Sequence, residues 1–209
     1  MKKLSTSKQM AINMVAAIVS FLIGTGINFV LAPYLVKELG SETYGFIGLA
    51  NNFVQYATIV TSALNSMSGR FISIEYSKGN IDKASRYFSS VLVADLIIAG
   101  VLLLVSSIIT FNIEFILNVP ENLVDSVKIL FALTFATFII SVITAIFTTA
   151  AFVKNKLYIN SLRDIASNTL KLLLVVILFS FFPAKVYFLA MASLASGIFL
   201  LLTNIKVKN

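Results

Sequence analysis

The sequence predicts an all-α integral membrane protein, a bundle of six transmembrane helices with both chain ends on the cytoplasmic side. Three observations lead there. The 209 residues are 58% hydrophobic and only 12% charged, with a mean hydropathy of +0.95, which is too apolar for an ordinary soluble domain. The apolar residues gather into six runs, at about 10–36, 43–69, 89–111, 126–152, 165–182 and 184–203, each near the ~20 residues a helix needs to cross hydrocarbon. Of the 16 lysines and arginines, all but Lys37, Lys128 and Lys185 fall on the side of the amino terminus, the asymmetry left when positive charge is retained in the cytoplasm.

Composition also excludes function classes. With no cysteine and no histidine, thiolate chemistry and the commonest catalytic base and metal ligand are gone, so neither an enzyme nor a metal site is expected, and no cofactor. There is no glycine-rich phosphate loop, HExxH motif or nucleophile elbow. The net charge of +7 comes without a basic patch interleaved with aromatics, so no nucleic-acid partner is expected. Met1-Lys2-Lys3 before an apolar run resembles a signal peptide, but the run to Val36 is too long and lacks a small-x-small cleavage site; it reads as a retained first span.

In that first span Ala17, Ser20, Gly24, Asn28 and Ala32 share one face, a small-residue seam suited to close helix contact, with Asn28 as its polar point. Pro33 is expected to kink or finish the helix. After the turn at Gly40 the second span carries no charge from Thr43 to Gly69, yet Gly48, Asn52, Gln55, Ser62, Asn65 and Gly69 recur at helical spacing. Amides in hydrocarbon need partners, so this stripe should face water, other helices or a polar ligand and not lipid. Arg70 closes the stripe, either as an interfacial anchor or as a phosphate clamp.

A basic connection follows, with a turn at Gly79-Asn80 and a short amphipathic helix before the third span. Asp95 is the one carboxylate inside a span, about two turns from its inner end; it either pairs with Arg70 or Lys171 or exchanges a proton or cation for coupled transport. In the fourth span Thr134, Thr137, Ser141, Thr144 and Thr148 alternate at steps of three and four, either a packing seam or a pathway lining. A second basic loop leads to the fifth span, where Lys171 is expected about two turns deep, snorkelling to headgroups or attracting an anion in a cavity. Pro183 marks a tight outer turn before the sixth span.

The run N-x4-P-x3-KELGSETYG from Asn28 to Gly45, followed by a polar second helix with Tyr56, Ala63-Leu64 and Gly69-Arg70, and by Gly79 with Lys83-Ala84, resembles the start of Wzx-type polysaccharide flippases. These belong to the multidrug/oligosaccharidyl-lipid/polysaccharide exporter superfamily. The resemblance covers the whole chain as topology and about residues 20–92 as motif. It implies two six-helix lobes around a cationic cavity, which moves an undecaprenyl-diphosphate-linked oligosaccharide across the bacterial plasma membrane by alternating access. This chain has the topology of the amino-terminal lobe alone, a single domain over 1–209, with the carboxy-terminal lobe absent. Its implied partners are the lipid-linked oligosaccharide, bilayer lipids, a second lobe or another copy of itself, and polysaccharide polymerase or glycosyltransferases. Arg70 and Lys171 would then attract the diphosphate, Asn28, Asn52, Gln55 and Asn65 would bond sugar hydroxyls, and Asp95 would couple an ion. The alternatives are a non-transporting scaffold in a polysaccharide-synthesis complex, or an exporter of another substrate such as lipid II or a drug.

Overall fold

The computed structural model describes residues 6–153 and 155–205, without the side chains of residues 6, 60, 63–65, 68 and 150–153. The described residues form helices and no strands: α1 (Thr6–Leu39), α2 (Ser41–Ser77), α3 (Ile81–Phe111), a short α4 (Ile113–Ile116), a 3-10 turn at Glu121–Leu123, α5 (Val124–Val153), α6 (Leu157–Phe181) and α7 (Phe188–Ile205). Five of these, α1, α3, α5, α6 and α7, are long and apolar enough to cross a membrane. The sixth expected span, α2, has the length but falls outside that group. Its asparagines, glutamine, serines and threonines dilute the apolar residues.

Helix boundaries follow local chemistry. Gly40 and Gly79 separate α1 from α2 and α2 from α3 with φ of +81 at each, which a side-chain-bearing residue adopts only with strain; Gly40 also has ψ of 155, a region essentially reserved for glycine. Pro33 neither ends nor shortens α1, which continues to Leu39. The expected break between an amphipathic helix and the third span is also missing. Residues 81–111 form one helix, because Asp82, Lys83, Ala84, Ser85 and Arg86 contain nothing that interrupts the hydrogen-bond ladder. For the same reason α6 begins at Leu157, eight residues ahead of the expected span.

The helices pack in the order α1 on α6, α6 on α7, α7 on α5, and α5 on both α2 and α3. Two apolar clusters hold the end that carries the Gly40 turn. One joins Phe46, Ile47 and Ala50 of α2 to Val127, Leu130, Phe131 and Phe135 of α5 and to Ala190 of α7. The other joins Leu31 and Leu35 of α1 to Val175 and Phe179 of α6 and to Phe188 and Ala192 of α7. Away from that end the contacts turn polar. Asn13, buried at 6% exposure, donates to the carbonyl and side-chain oxygens of Asn155 at 3.2 and 2.9 Å and accepts from the Tyr158 backbone N–H at 3.1 Å. Arg163 donates to Asn204 at 2.8 Å, and Ser167 to the Ser196 carbonyl at 3.0 Å.

Candidate functional site

α1 and α2 touch each other far less than either touches its other neighbours, and a cavity of about 600 Å³ opens between them. Its walls are Asn28, Ala32 and Leu35 of α1 and Tyr44, Asn51 and Thr58 of α2; Thr134, Thr137 and Ser141 of α5, Ser193 of α7 and Lys171 of α6 complete it. The apolar clusters close it toward the Gly40 turn.

Among the described residues Lys171 is the one charged side chain on this wall. It lies about 21 Å along α6 from Leu157. Its Nζ donates to Oδ1 of Asn28 at 3.1 Å. Two residues singled out from sequence 143 positions apart therefore meet. The seam on α1 explains how: Gly24, one turn before Asn28, lies against Asn168 of α6, where an added Cβ would sit 3.4 Å from Nδ2. That packing of the Asn168 side chain onto Gly24 brings Lys171 within reach of α1.

The stripe on α2 divides. Asn51, Val54 and Thr58 line the cavity; Asn52 and Gln55, one position round the helix, do not, although Asn51 and Thr58 are exposed as they are. Asn65 lies in α2, and its side chain is outside the described residues. Sequence reasoning missed Asn51 because Gly48, Asn52, Gln55 and Ser62 make the neighbouring face look equally polar. The signal that points to Asn51 is its place in the series Ile47, Asn51, Val54, Thr58, which contains the buried Ile47.

Arg70 is remote from Lys171. It borders a second cavity of about 770 Å³ with Ser66, Gly69 and Ser73 of α2, Thr148 and Thr149 of α5, and Asn160 of α6. Asn160 donates to the Thr148 carbonyl at 3.2 Å. A third cavity of about 420 Å³ lies between the first two. The hydroxyls of α5 serve both readings offered for them: each donates to a carbonyl of its own helix, as Thr134 to Leu130 and Thr137 to Leu133 at 2.8 Å, while Thr134, Thr137 and Ser141 also face the cavity.

Asp95 is 2% exposed and its Oδ2 has no hydrogen-bond partner. Pairing with Arg70 or Lys171 is not what holds it. Among the described residues the ion pairs are Glu75 with Lys78 and Lys83, and Glu114 with Lys128. Glu75 stands at the α2–α3 turn, where Asn80 donates to it at 3.0 Å. That hydrogen bond first, then those of Lys78 and the charges of Lys78 and Lys83, hold its carboxyl below the usual range against the opposing effect of burial.

Comparison with known proteins matches residues 10–207 to the polysaccharide biosynthesis protein family. The chain is similar to an uncharacterized membrane protein, EpsK, of Bacillus subtilis (strain 168), with 33% identity over 187 residues. The match covers 90% of this chain and 37% of that protein, so the chain spans a little over a third of its relative's length. No solved structure matches.

Proposed function

Because the chain belongs to the polysaccharide biosynthesis protein family, whose members are polysaccharide-flippase-type membrane proteins, we propose that it is one lobe of a two-lobe transporter. This transporter moves an undecaprenyl-diphosphate-linked oligosaccharide across the bacterial plasma membrane by alternating access. The observation that carries the reading is Lys171, a cation without a carboxylate partner among the described residues, facing a cavity otherwise walled by amides, hydroxyls and apolar groups. A half-buried ammonium without a counter-charge, facing a cavity, favours an anion that supplies one. Asn28, Asn51 and the hydroxyls beside it suit the sugar next to a diphosphate. Arg70 serves the same anion at the other end of α2.

In this reading α2 is the sixth span. Asn51 and Thr58 face the cavity, and Asn52 and Gln55 face the second lobe or a water-filled gap, since lipid would leave their amides unsatisfied. A chain without that lobe covers the same face by self-association. The Gly40 turn lies outside and the Gly79 turn and both chain ends inside, as the distribution of basic residues implies. Asp95, buried and unpartnered, is the candidate for ion coupling; Asp95→Asn then abolishes dependence of export on the ion gradient.

The test is Lys171→Gln in the two-lobe protein. Loss of one charge-assisted contact to the diphosphate lowers glycan export about tenfold or more, and Lys171→Arg retains a measurable part of it. Unchanged export by Lys171→Gln at unchanged membrane abundance removes the assignment.

A further inference from the structure

A separate hollow of about 310 Å³ lies at the end that carries the Gly40 turn and shares no lining residue with the three cavities described above. Three connections meet there. The end of α1 and the start of α2 supply Glu38, Leu39 and Thr43, the turn into α5 supplies Asn122, Leu123 and Ser126, and the α6–α7 connection supplies Ala184, Lys185 and Val186. The floor is apolar: Val186 belongs to the cluster around Phe131, and Leu39 and Leu123 pack against that cluster. The rim is polar and unpaired. Among the described residues, the side chains of Glu38, Thr43, Asn122, Ser126 and Lys185 make no hydrogen bond or ion pair. Thr43 and Ser126 stand in the first turns of α2 and α5, where the hydroxyl has no earlier carbonyl of its own helix to bond. Glu38 and Lys185 carry opposite charges around one hollow without closing on each other, whereas Lys128 and Glu114 at the same end do pair. Buried neighbours fix both backbones: Val186 beside Lys185, and Leu35 one turn before Glu38, each 2% exposed.

We propose that this hollow binds a neutral or amino-bearing saccharide, and that a bound saccharide clips the three connections together. A carboxylate, an amide, two hydroxyls and an ammonium on one rim offer both acceptors and donors, which is what neighbouring sugar hydroxyls need, since each donates and accepts. The apolar floor suits the C–H face of a sugar ring. A volume of about 310 Å³ is at the small end of the ~300–1,000 Å³ range of ligand sites, which suits a monosaccharide or disaccharide and not a polymer. Charge selects against an acidic sugar. The lining and flanking positions hold four carboxylates, Glu38, Glu42, Glu121 and Asp125, against two ammonium groups, Lys37 and Lys185, so an anion meets net repulsion. Among the described residues no group of carboxylates is set to hold a metal ion instead. Opening the bundle at this end separates the α1–α2 turn from α5 and from the α6–α7 connection; a ligand bridging Glu38, Asn122 and Lys185 binds the closed state better and so opposes that motion. The outward position of the site, and with it any effect on export, rests on the transport reading given above; the binding does not.

The test uses the full chain in lipid nanodiscs, with N-acetylglucosamine as the probe and glucuronate as its acidic counterpart. A ligand of about fifteen non-hydrogen atoms reaches a Kd on the order of 1 mM. At about ten times that concentration, backbone exchange through openings that break the site slows about tenfold, read by hydrogen-exchange mass spectrometry over residues 121–127 and 184–188. Glu38→Gln and Asn122→Ala change exposed positions and each weaken binding about fivefold for a lost hydrogen bond. Exchange that N-acetylglucosamine leaves unchanged in the parent overturns the site, and so does protection that survives undiminished in both variants. Glucuronate protecting as well as N-acetylglucosamine overturns the neutral-sugar assignment. The second arm measures glycan export by the two-lobe protein in proteoliposomes with N-acetylglucosamine on the outer side, expected to slow export in the parent and to act about fivefold more weakly in Asn122→Ala. Protection without any effect on export overturns the clip and keeps the site. A parent that exports no glycan at all fails the transport reading and leaves the exchange result to decide the site by itself.

Discussion

Replacing Asn13 by alanine tests how the end of the bundle away from Gly40 is held together. Asn13 closes three good contacts at once: two donations to Asn155 at 2.9 and 3.2 Å and one acceptance from the Tyr158 N–H at 3.1 Å. Tyr158 stands in the first turn of α6, where backbone N–H groups have no partner within the helix, so Asn13 caps α6 from another helix. It also fixes Asn155, which holds φ of +53. At about 1 kcal/mol net for each hydrogen bond, the loss sums to ~3 kcal/mol. Water reaching the half-buried Asn155 and Tyr158 returns part of it, leaving about 2 kcal/mol. Asn13→Asp separates the two functions, since it keeps the acceptor for Tyr158 beside a helix amino terminus that favours negative charge and loses only the donations to Asn155; its cost is about 1 kcal/mol. Equilibrium unfolding in mixed micelles ranks the variants, and hydrogen exchange at the Tyr158 amide shows which contact was lost. If Asn13→Ala unfolds like the parent, or if Asn13→Asp costs as much as Asn13→Ala, the capping argument fails.

Three further perturbations follow from the same geometry. Gly40→Ala forces a side-chain-bearing residue to φ of +81 and ψ of 155 with open space around it, so the backbone alone resists and the unfolding free energy falls by about 1–3 kcal/mol; a neutral result would mean that the turn relaxes. Arg163→Ala leaves the Oδ1 of Asn204, a residue 3% exposed, without its donor and costs about 1–3 kcal/mol, whereas removing both partners with Arg163→Met and Asn204→Leu recovers part of that loss in the same unfolding assay. Glu75 is held below its ordinary value of 4.5, so its contribution to the α2–α3 turn is complete above that pH and disappears as pH falls through the lower folded value. Backbone exchange at Gly79–Ala84 should therefore accelerate on acidification below about pH 4 in the parent and be insensitive to pH in Glu75→Gln, after correction for intrinsic exchange; identical profiles would sink the idea.

What the sequence exposed and what it hid have a common physical origin. Hydropathy marks where a chain leaves hydrocarbon, and the turns at Gly40 and Gly79-Asn80 were legible because a glycine with positive φ stands at each. Helix ends were not legible by the same signal. Lys83, Ser85 and Arg86 are polar but helix-compatible, so α3 runs past the membrane boundary to Ile81, and α6 does likewise to Leu157. The pairing of Lys171 with Asn28 was half visible, since both residues stood out while their meeting did not. Which side of α2 faces the cavity could not be read from α2 itself, because Asn51 and Asn52 are adjacent and only the position of α5 chooses between them. The link from Asn13 to Asn155 had no signature, as contacts across 142 residues leave no periodic trace.

The two ends of the bundle are stabilised by different physics, and this bears on where it can open. At the Gly40 end, Phe131, Ile113, Val127 and Val175 are fully buried and interlock without polar atoms; separating them leaves voids, and a large-to-small change in such packing costs about 2–5 kcal/mol. At the other end the contacts made by Asn13, Arg163 and Ser167 are hydrogen bonds that water can replace at a net cost of ~1 kcal/mol each. Opening on the polar side is therefore the cheaper motion, provided that water can enter. The cavity bordered by Ser66 and Arg70 lies on that side, which gives water a route. Val142 and Ile146 of α5 and Ile72 of α2 are buried toward that end as well, so the hydrogen bonds are the part of its packing that water can replace. Variants that weaken the polar contacts should raise thiol labelling of Ser66→Cys more than variants that thin the apolar clusters by an equal free energy.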